Sequence, residues 1–337
     1  MIDLPDGTVA AGLGGARGKG TGVSMPGSLD LRETSRMTDE GLIPDNVSGL
    51  PLVAIGDLHG NLAEAKLLWS KIAAHMGEIA FEVVFLGDYC DRGPETRGLL
   101  DWLIELRESR QAGTTHFLAG NHDLGFAAFV GHLPIDDPRN PPLGLESTRK
   151  PGFTTGFWPH PVPAPGMHYQ GRRWADGRTY HAFSTFSSYG VDLDSSPEMR
   201  ERLVAALPVA HADFLRRMLW VHEVERTWGR VVSVHAGLDC SAPLEPQLRA
   251  LRARDLSASC LHDKGTDSGR LVPLCSRQSV EPIHPQLAGR SLLISGHHGL
   301  SRIDGDRIIL DASGGVPGPG RPIQAIVLPE RTVLAST

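Results

Sequence analysis

Residues 52–60 read LVAIGDLHG, in which a short apolar run ends at a glycine and is followed by an aspartate and a histidine. Four consecutive apolar residues bounded by a turn signal predict a strand that is buried on both faces, as in a parallel sheet. Asp57 and His59 are two positions apart on the loop that leaves this strand, so both side chains can point into one crevice. The stretch therefore predicts a buried strand that presents a carboxylate and an imidazole at its end.

The same pattern recurs twice, at VVFLGDYCDRG in residues 83–93 and at THFLAGNHD in residues 115–123. Apolar residues at helical spacing between these runs predict helices over residues 62–75 and 99–106. Repetition of strand, polar loop and helix is typical of a parallel sheet, whose ligands gather at the carboxyl ends of the strands. Further strands are predicted at residues 231–234, 292–295, 307–310 and 325–328, and the first two lead into His235 and His297.

Charge and cysteine usage narrow the class of protein. Charged residues make up 21% of the 337 residues and the net charge is −6, which argues against the clustered Lys and Arg that nucleic-acid and membrane-surface binders need. No apolar run is long enough for a transmembrane helix. The four cysteines show no C-x-x-C spacing, which favours a reducing compartment. We therefore expect a monomer that binds neither nucleic acid nor membranes and resides in the cytoplasm, with the nucleus left open.

Three segments differ in composition. Residues 1–49 are rich in glycine and small residues, and are predicted to form a mobile N-terminal extension. Residues 50–335 carry the strand and helix patterns, and are predicted to form one domain. Within it, residues 131–190 are rich in proline and aromatic residues and lack periodicity, which predicts a functional insertion.

Five predicted strand ends carry polar side chains whose types suit a metal centre. Carboxylate, imidazole and amide oxygen together bind borderline divalent cations such as manganese, iron or zinc, and the lack of cysteine ligands disfavours a structural zinc site. Asp88 can bridge two such ions, which would lie roughly 3.5–4 Å apart and promote in-line displacement at phosphorus. Each residue alone has an ordinary explanation as a cap or a core group, but the ordered set predicts a two-metal site. The candidate ligands are Asp57, His59, Asp88, Asn121, His235 and His297.

These motifs resemble the signature motifs of the phosphoprotein phosphatases, which belong to the calcineurin-like metallophosphoesterases. The resemblance rests on GDLHG at residues 56–60, GDYCDRG at 87–93, GNHD at 120–123, VHAGL at 234–238 and GH at 296–297. It implies an α/β fold, a four-layer αββα sandwich with two central mixed sheets. It also implies that residues 50–335 form a metallophosphoesterase catalytic domain.

The resemblance further implies a role for each matching residue. It divides the ligands between two metals that share Asp88: Asp57, His59 and Asp88 for the first, and Asp88, Asn121, His235 and His297 for the second. His122 would be the general acid, oriented by Asp91, while Arg92 and Asn121 would bind the phosphate. The implied reaction is hydrolysis of phosphomonoesters on proteins by direct attack of a hydroxide that bridges the two metals, with a phosphorylated protein as the partner.

Within the family, the sequence is most similar to the Rhizobiales-like phosphatases of plants and algae. The similar segments are GDYCDRGPETR (residues 87–97), GRRWA (171–175), STFSSYGV (184–191), WVHE (220–223) and SGHHG (295–299). This similarity implies a preference for phosphotyrosine. Asp123 stands where the eukaryotic serine/threonine enzymes carry Glu, which argues against their specificity.

Two other activities stay open. One is a phosphoserine and phosphothreonine phosphatase, which the same motifs serve. The other is a dinucleoside polyphosphate hydrolase, which shares the metal scaffold but usually lacks the residue equivalent to Asp91.

Residues that contact the substrate are less clearly marked. Arg252 is the candidate for a second phosphate-binding arginine, because three equatorial phosphoryl oxygens need donors. The alternative is a solvated arginine on a surface helix. Arg172 and Arg173 are candidates for binding an acidic group or a second phosphate of the substrate, or else form a solvated surface pair.

A preference for phosphotyrosine needs a deep slot with apolar walls, so that an aromatic ring can reach where a serine stem falls short. The aromatic insertion supplies Tyr189, Phe186 and Trp174 as candidates for these walls. The alternative is that they form a small satellite core under a long loop.

Overall fold

The strand predicted at residues 52–55 is present in the computed structural model and lies in the middle of a five-stranded sheet. Ten strands are described: β1 (Leu52–Ile55), β2 (Glu82–Phe85), β3 (Thr115–Phe117), β4 (His222–Arg226), β5 (Gly229–Ser233), β6 (Ser291–Ser295), β7 (Ser301–Asp304), β8 (Arg307–Leu310), β9 (Gln324–Leu328) and β10 (Thr332–Ala335). The first sheet has the order β10-β9-β1-β2-β3 and the second has the order β4-β5-β6-β8-β7.

Both sheets mix parallel and antiparallel pairs. In the first sheet β1 pairs with β2 and β2 with β3 in parallel, while β9 runs antiparallel to β1 and β10. In the second sheet β5, β6 and β8 are parallel neighbours, and β4 and β7 are antiparallel edge strands. The parallel strands at the centre of each sheet therefore end on the same edge, where their polar loops begin.

Alternation of side chains along the strands places the two sheets against each other. Leu52 and Ala54 of β1 share a buried cluster with Ile294 of β6 in the other sheet. The intervening residues point to the opposite face, and Val53 belongs to a larger cluster that includes Leu68 of the first helix. The sheets thus form the inner layers and helices cover the outer faces, which confirms the predicted αββα sandwich with two central mixed sheets.

The helices predicted at residues 62–75 and 99–106 are confirmed, and the second extends further at both ends. The described helices are α1 (Leu62–Met76), α2 (Thr96–Ser109), α3 (Asn121–Val130), α4 (Tyr169–Trp174), α5 (Phe183–Ser188), α6 (Met199–Ala206), α7 (Val209–Arg217), α8 (Leu244–Ala253) and α9 (Val272–Cys275), with a 3₁₀ turn at Ser259–Leu261. Among the described residues, no helix combines the length and the apolar character that crossing a membrane requires.

The structure describes residues 49–133, 168–175, 180–194, 196, 198–263 and 270–337. Nearly all of the predicted extension at residues 1–49 and much of the predicted insertion at residues 131–190 lie outside these ranges. The described parts of the insertion include α4 and α5. The boundaries proposed for the extension, the domain and the insertion stay predictions.

Candidate active site

The six predicted metal ligands meet where the central strands of both sheets end. Their positions relative to the strands are as follows: Asp57 and His59 after β1, Asp88 after β2, Asn121 at the start of α3, His235 after β5 and His297 after β6. All are buried except Asn121, which is partly exposed. Loops from two sheets thereby bring residues up to 240 positions apart into contact.

Asp88 lies at the centre of this group. Its Oδ2 is 3.4 Å from Nε2 of His59 on one side and 3.3 Å from Nε2 of His235 on the other. The Nε2 atom of His235 is also 3.2 Å from Oδ1 of Asn121 and 3.1 Å from Nδ1 of His297. One carboxylate therefore stands between two sets of donor atoms, as a bridging ligand must.

Backbone carbonyls fix the orientation of two of these imidazoles. Nδ1 of His59 lies 2.8 Å from the carbonyl of Cys90, and Nδ1 of His235 lies 2.7 Å from the carbonyl of Leu86. A carbonyl only accepts, so each ring donates through Nδ1 and, when neutral, carries a lone pair on Nε2. Both lone pairs face Asp88, itself an acceptor. A cation between these atoms would turn an unfavourable contact into coordination, and the carbonyls are the usual outer partners of ligating histidines.

The pKa shifts of the predicted ligands also favour binding of a cation. Burial raises the pKa of Asp57, and the neighbouring carboxylates of Asp311 and Asp88 raise it further. Burial lowers the pKa of His59 and of His297, which keeps both rings neutral and able to ligate. Buried negative charge beside neutral imidazoles is the donor set that borderline divalent cations take. The identity of the metals stays a prediction.

His122 and Asp91 form a close pair beside the ligands. Nδ1 of His122 is 2.6 Å from Oδ2 of Asp91, while its Nε2 is 4.0 Å from Oδ2 of Asp88. The carboxylate therefore accepts the Nδ1 proton and turns Nε2 toward the metal ligands. This geometry suits a residue that delivers a proton to a leaving oxygen.

Two residues of the insertion hold Asp91 in place. The indole Nε1 of Trp174 donates to Oδ2 of Asp91 at 2.7 Å, and the hydroxyl of Thr185 donates to Oδ1 at 2.7 Å. The same hydroxyl accepts from the Asp91 amide at 2.9 Å. Sequence reasoning assigned Trp174 to a substrate wall and did not identify Thr185. The sequence does not show which residue either side chain bonds to, because only folding brings both of them to Asp91.

Arg92 lies between the predicted metal ligands and the His122–Asp91 pair. Its Nη1 donates to the carbonyl of Gly314 at 2.7 Å and lies 3.1 Å from Nε2 of His59. Its Nη2 lies 3.1 Å from Nε2 of His122. The guanidinium therefore lies against both rings, next to a predicted metal ligand on one side and the predicted acid on the other.

The loops reach this arrangement through left-handed backbone at residues that carry side chains. The φ angles are 54° at Asp88, 71° at Asp91, 66° at Arg92 and 71° at His297. Such conformations are rare outside glycine and are found at sites that the surrounding structure holds in place. Asp123 supplies part of that support, because its carboxylate accepts from the backbone amides of Asp88 at 2.6 Å, Tyr89 at 2.9 Å and Gly120 at 2.9 Å.

An open cleft of about 440 Å³ lies over these residues. Its floor contains Asp88, Arg92, Asn121, His122 and His297. Its walls contain Gln170, Arg173, Tyr180, Arg270, Cys275, Arg277 and His298. The predicted contact residue Arg173 is thus at the cleft, and three arginines line its walls.

Other predicted substrate residues lie elsewhere. The guanidinium of Arg252 is held by Glu223 at 2.6 and 3.1 Å and by Glu245 at 2.9 Å on the exposed side of α8, so Arg252 is not brought to the cleft. The Tyr189 hydroxyl lies 2.7 Å from Nδ1 of His211, among buried side chains. Arg172 is on α4 but does not line the cleft.

The remaining aromatic candidates, Trp174 and Phe186, belong to the larger buried cluster that also includes Val53, and not to a separate satellite core. Trp174 is fully buried and stacks on Phe126 with ring centroids 5.0 Å apart and on Phe186 with centroids 5.3 Å apart. The aromatic residue at the cleft is instead Tyr180, whose ring meets that of His122 edge to face at 4.7 Å.

Comparison with known proteins gives a relative by sequence and similar solved structures. A "Putative serine/threonine-protein phosphatase" of Caenorhabditis elegans is 33% identical over 76 residues, which are 22% of this chain and 15% of the relative. The chain therefore matches only a small part of that protein's length.

Two solved structures are similar in fold. One is a "putative diadenosine tetraphosphatase", with a TM-score of 0.47, 15% identity and coverage of 86% of this chain and 94% of the other. The second is the cold-active protein-tyrosine phosphatase of a psychrophilic Shewanella species, with a TM-score of 0.43, 16% identity and coverage of 85% and 77%. Likeness at this level does not distinguish between substrates.

The family is shown by a match that is independent of these single relatives. The family model described as calcineurin-like phosphoesterase matches residues 50–239, more than half of the chain. The matched range includes the first three motifs and His235. The chain belongs to the calcineurin-like phosphoesterase family.

Proposed function

We propose that this protein is a metal-dependent protein phosphatase that hydrolyses phosphomonoesters and prefers phosphotyrosine. The observation that carries the proposal is the placement of Arg92 and His122 on the cleft floor beside Asp88, with Tyr180 on the wall above them. A residue that can bind phosphate, a residue that can donate a proton and a candidate metal ligand can therefore all reach one phosphoryl group in the cleft.

The residues that would hold the metals are those of the two donor sets around Asp88. Two divalent cations in these sets, manganese, iron or zinc, would supply an acidified water as nucleophile and neutralise the charge of the phosphate. The chain itself contributes the binding, the orientation and the proton.

Arg92 binds the phosphoryl group in this proposal. Its guanidinium offers planar paired donors that match two phosphoryl oxygens, which a lysine ammonium cannot reproduce. The carbonyl of Gly314 holds Nη1 at 2.7 Å, so the fork is already oriented before the substrate arrives. The Asn121 amide lies on the same floor and can donate to a further oxygen.

His122 transfers the proton. Its Nδ1 is bonded to Asp91, so the proton that leaves is the one on Nε2, which faces the floor of the cleft. Asp91 accepts from Nδ1 and keeps the ring in this orientation. The leaving oxygen of the substrate accepts the proton as the ester bond breaks.

The walls support a substrate with a flat group and additional negative charge. The Tyr180 ring packs edge to face on His122, and its hydroxyl donates to Oε1 of Gln170 at 2.5 Å, which fixes the ring as a rigid apolar surface. Arg173 and Arg277 line the same cleft and can bind acidic or phosphorylated neighbours of the scissile group.

One observation favours a second candidate. Arg173, Arg270 and Arg277, which line the cleft, would also suit a chain of phosphates, as in a dinucleoside polyphosphate. The Asp91–His122 pair argues for monoesters, because a phosphoanhydride leaves as a weakly basic phosphate and needs little protonation.

The test is a substrate panel of phosphotyrosine, phosphoserine, phosphothreonine and doubly phosphorylated peptides together with diadenosine tetraphosphate, each with manganese added and with metal chelated. We expect the highest kcat/KM for phosphotyrosine peptides, and activity only with metal. Asp88→Asn is the control for a contaminating phosphatase and should be inactive on every substrate. Hydrolysis of diadenosine tetraphosphate without phosphopeptide turnover would overturn the proposal in favour of the second candidate.

A further inference from the structure

A second cluster of potential metal ligands lies away from the catalytic cleft. Glu82 is the first residue of β2, His116 is on β3 and His222 is the first residue of β4. Asp88 follows the other end of β2, six positions along the chain, which corresponds to roughly 20 Å of extended strand. The cluster is therefore separate from the catalytic centre, and the proposed function makes no use of it.

The three side chains converge on one carboxylate oxygen. Oε1 of Glu82 is 2.9 Å from Nε2 of His116 and 2.9 Å from Nε2 of His222. The two imidazole rings lie side by side, with centroids 4.3 Å apart and planes tilted by 33°. Glu82 and His222 are buried, and the His116 side chain is 17% exposed. The ligand atoms are thus aimed at one small volume that solvent reaches only from the side of His116.

The Nε2 atom of His116 lies close to Glu82 but makes no hydrogen bond with it. Nε2 has no hydrogen-bond partner, although the carboxylate is close. The ring instead bonds to the backbone of Gly113, which must therefore occur through Nδ1. Burial lowers the pKa of His116 to about 4, so the ring is neutral at neutral pH and Nε2 carries a lone pair. A lone-pair nitrogen held 2.9 Å from a carboxylate oxygen is an unfavourable contact between two acceptors, and a cation bound by both atoms removes it.

Arg226 completes the arrangement without occupying the shared oxygen. It binds the other carboxylate oxygen, Oε2 of Glu82. Carboxylates that ligate metals commonly have their second oxygen held by such a donor, and ligating histidines commonly donate their second nitrogen to a carbonyl. Arg226 and the Gly113 backbone therefore correspond to the outer partners of a metal site.

We propose that Glu82, His116 and His222 bind one zinc ion, at a site that is distinct from the catalytic centre. Two imidazole nitrogens and one carboxylate oxygen, with a water in the fourth position, are an established tetrahedral zinc set. Bonds of about 2.0–2.1 Å to a tetrahedral ion separate ligand atoms by roughly 3.3 Å, so a shift of a few tenths of an ångström admits the ion. Since β2 and β3 belong to one sheet and β4 to the other, the ion would link the two layers.

The test counts metal ions in proteins that differ only at this cluster. Each protein is stripped with chelator, dialysed against buffered zinc and assayed for bound zinc per chain. We expect His116→Gln and His222→Gln each to bind one equivalent less than the wild type. His75→Gln is the matched control, because His75 is an exposed histidine at the end of α1, and it should bind as much zinc as the wild type.

A second background isolates the site from the catalytic centre. The double variant Asp57→Asn, Asp88→Asn removes two ligands of the first catalytic set and one of the second, and it should still bind one zinc and show a higher Tm with zinc. Adding His116→Gln should abolish both effects. The proposal is overturned if this background binds no zinc, or if His116→Gln leaves the zinc content of either protein unchanged.

Discussion

His122 is the single residue whose replacement most directly tests the chemistry. Its Nε2 faces the cleft and its Nδ1 is held by Asp91 at 2.6 Å. His122→Asn should lower kcat/KM by roughly 10²-fold or more for esters with poor leaving groups, and by less for esters of acidic phenols, which leave without protonation. The measurement is kcat/KM for a series of substrates from nitrophenyl to alkyl phosphates. In the variant, kcat/KM should depend more steeply on the pKa of the leaving group than in the wild type. Equal losses across the series would contradict the acid role.

Thr185 tests whether positioning of Asp91 matters. Its hydroxyl donates to Oδ1 of Asp91 at 2.7 Å and accepts from the Asp91 amide at 2.9 Å. Thr185→Val keeps the shape but loses both bonds, and we expect a roughly 10- to 100-fold loss in kcat, as for partners that orient catalytic groups. Thr185→Ser retains the hydroxyl and should restore most of the activity. The loss should be largest for poor leaving groups, since it acts through His122, and a uniform loss would indicate a general structural effect.

At the scale of single residues, sequence reasoning predicted which candidate metal ligands would come together, because each follows an apolar strand run within about four residues. It failed for Arg252, since a helical arginine does not reveal that two glutamates bind it. Tyr180 and Arg277 were not identified as cleft residues because only the folded chain brings them to the cleft.

The loop after β6 is shaped so that Gly296 can approach Asp57. A Cβ at Gly296 would lie 2.0 Å from Oδ1 of Asp57. Gly296→Ala should therefore displace this carboxylate, weaken metal binding and reduce kcat/KM by roughly 10- to 100-fold, comparable to the loss of a ligand-orienting contact. Gly318→Ala is the control, because nothing lies within 4 Å of its Cβ position. Metal content and activity should be unchanged in Gly318→Ala, and similar behaviour of both variants would contradict the steric argument.

Prediction of whole elements succeeded where burial on both faces leaves an uninterrupted apolar run. The strand predicted at residues 307–310 coincides with β8, and the one at residues 52–55 coincides with β1. β7 was missed because all four of its residues are exposed, and β4 because it reads HEVER. The helices α4 and α5 have six residues each, which is too short for a helical period to show.

The two sheets of the molecule share the Glu82 cluster, so its protonation affects global stability. Burial lowers the pKa of His116 from 6.5 to about 4, and burial also lowers that of His222. Between pH 6.5 and 4 the unfolded chain binds protons that the folded chain does not, so the free energy of unfolding falls as the pH falls. The slope from each histidine is at most about 1.4 kcal/mol per pH unit.

We therefore expect the metal-stripped wild type to lose stability more steeply over this range than a His116→Gln, His222→Gln double variant. Urea denaturation at several pH values with chelator present measures both slopes. A His75→Gln variant should follow the wild type, because His75 is exposed. Parallel curves for the wild type and the double variant would contradict the assignment.

The left-handed backbone at Asp88, Asp91, Arg92 and His297 has a consequence for descendants of this chain. Each such residue lowers the free energy of unfolding by about 1 kcal/mol relative to glycine. At these positions the side chains that serve the reaction therefore reduce the stability of the fold. A related protein that no longer carries out the reaction would gain stability by placing glycine at these positions. Such replacements in an otherwise intact sandwich would mark a protein that has given up hydrolysis while keeping its shape.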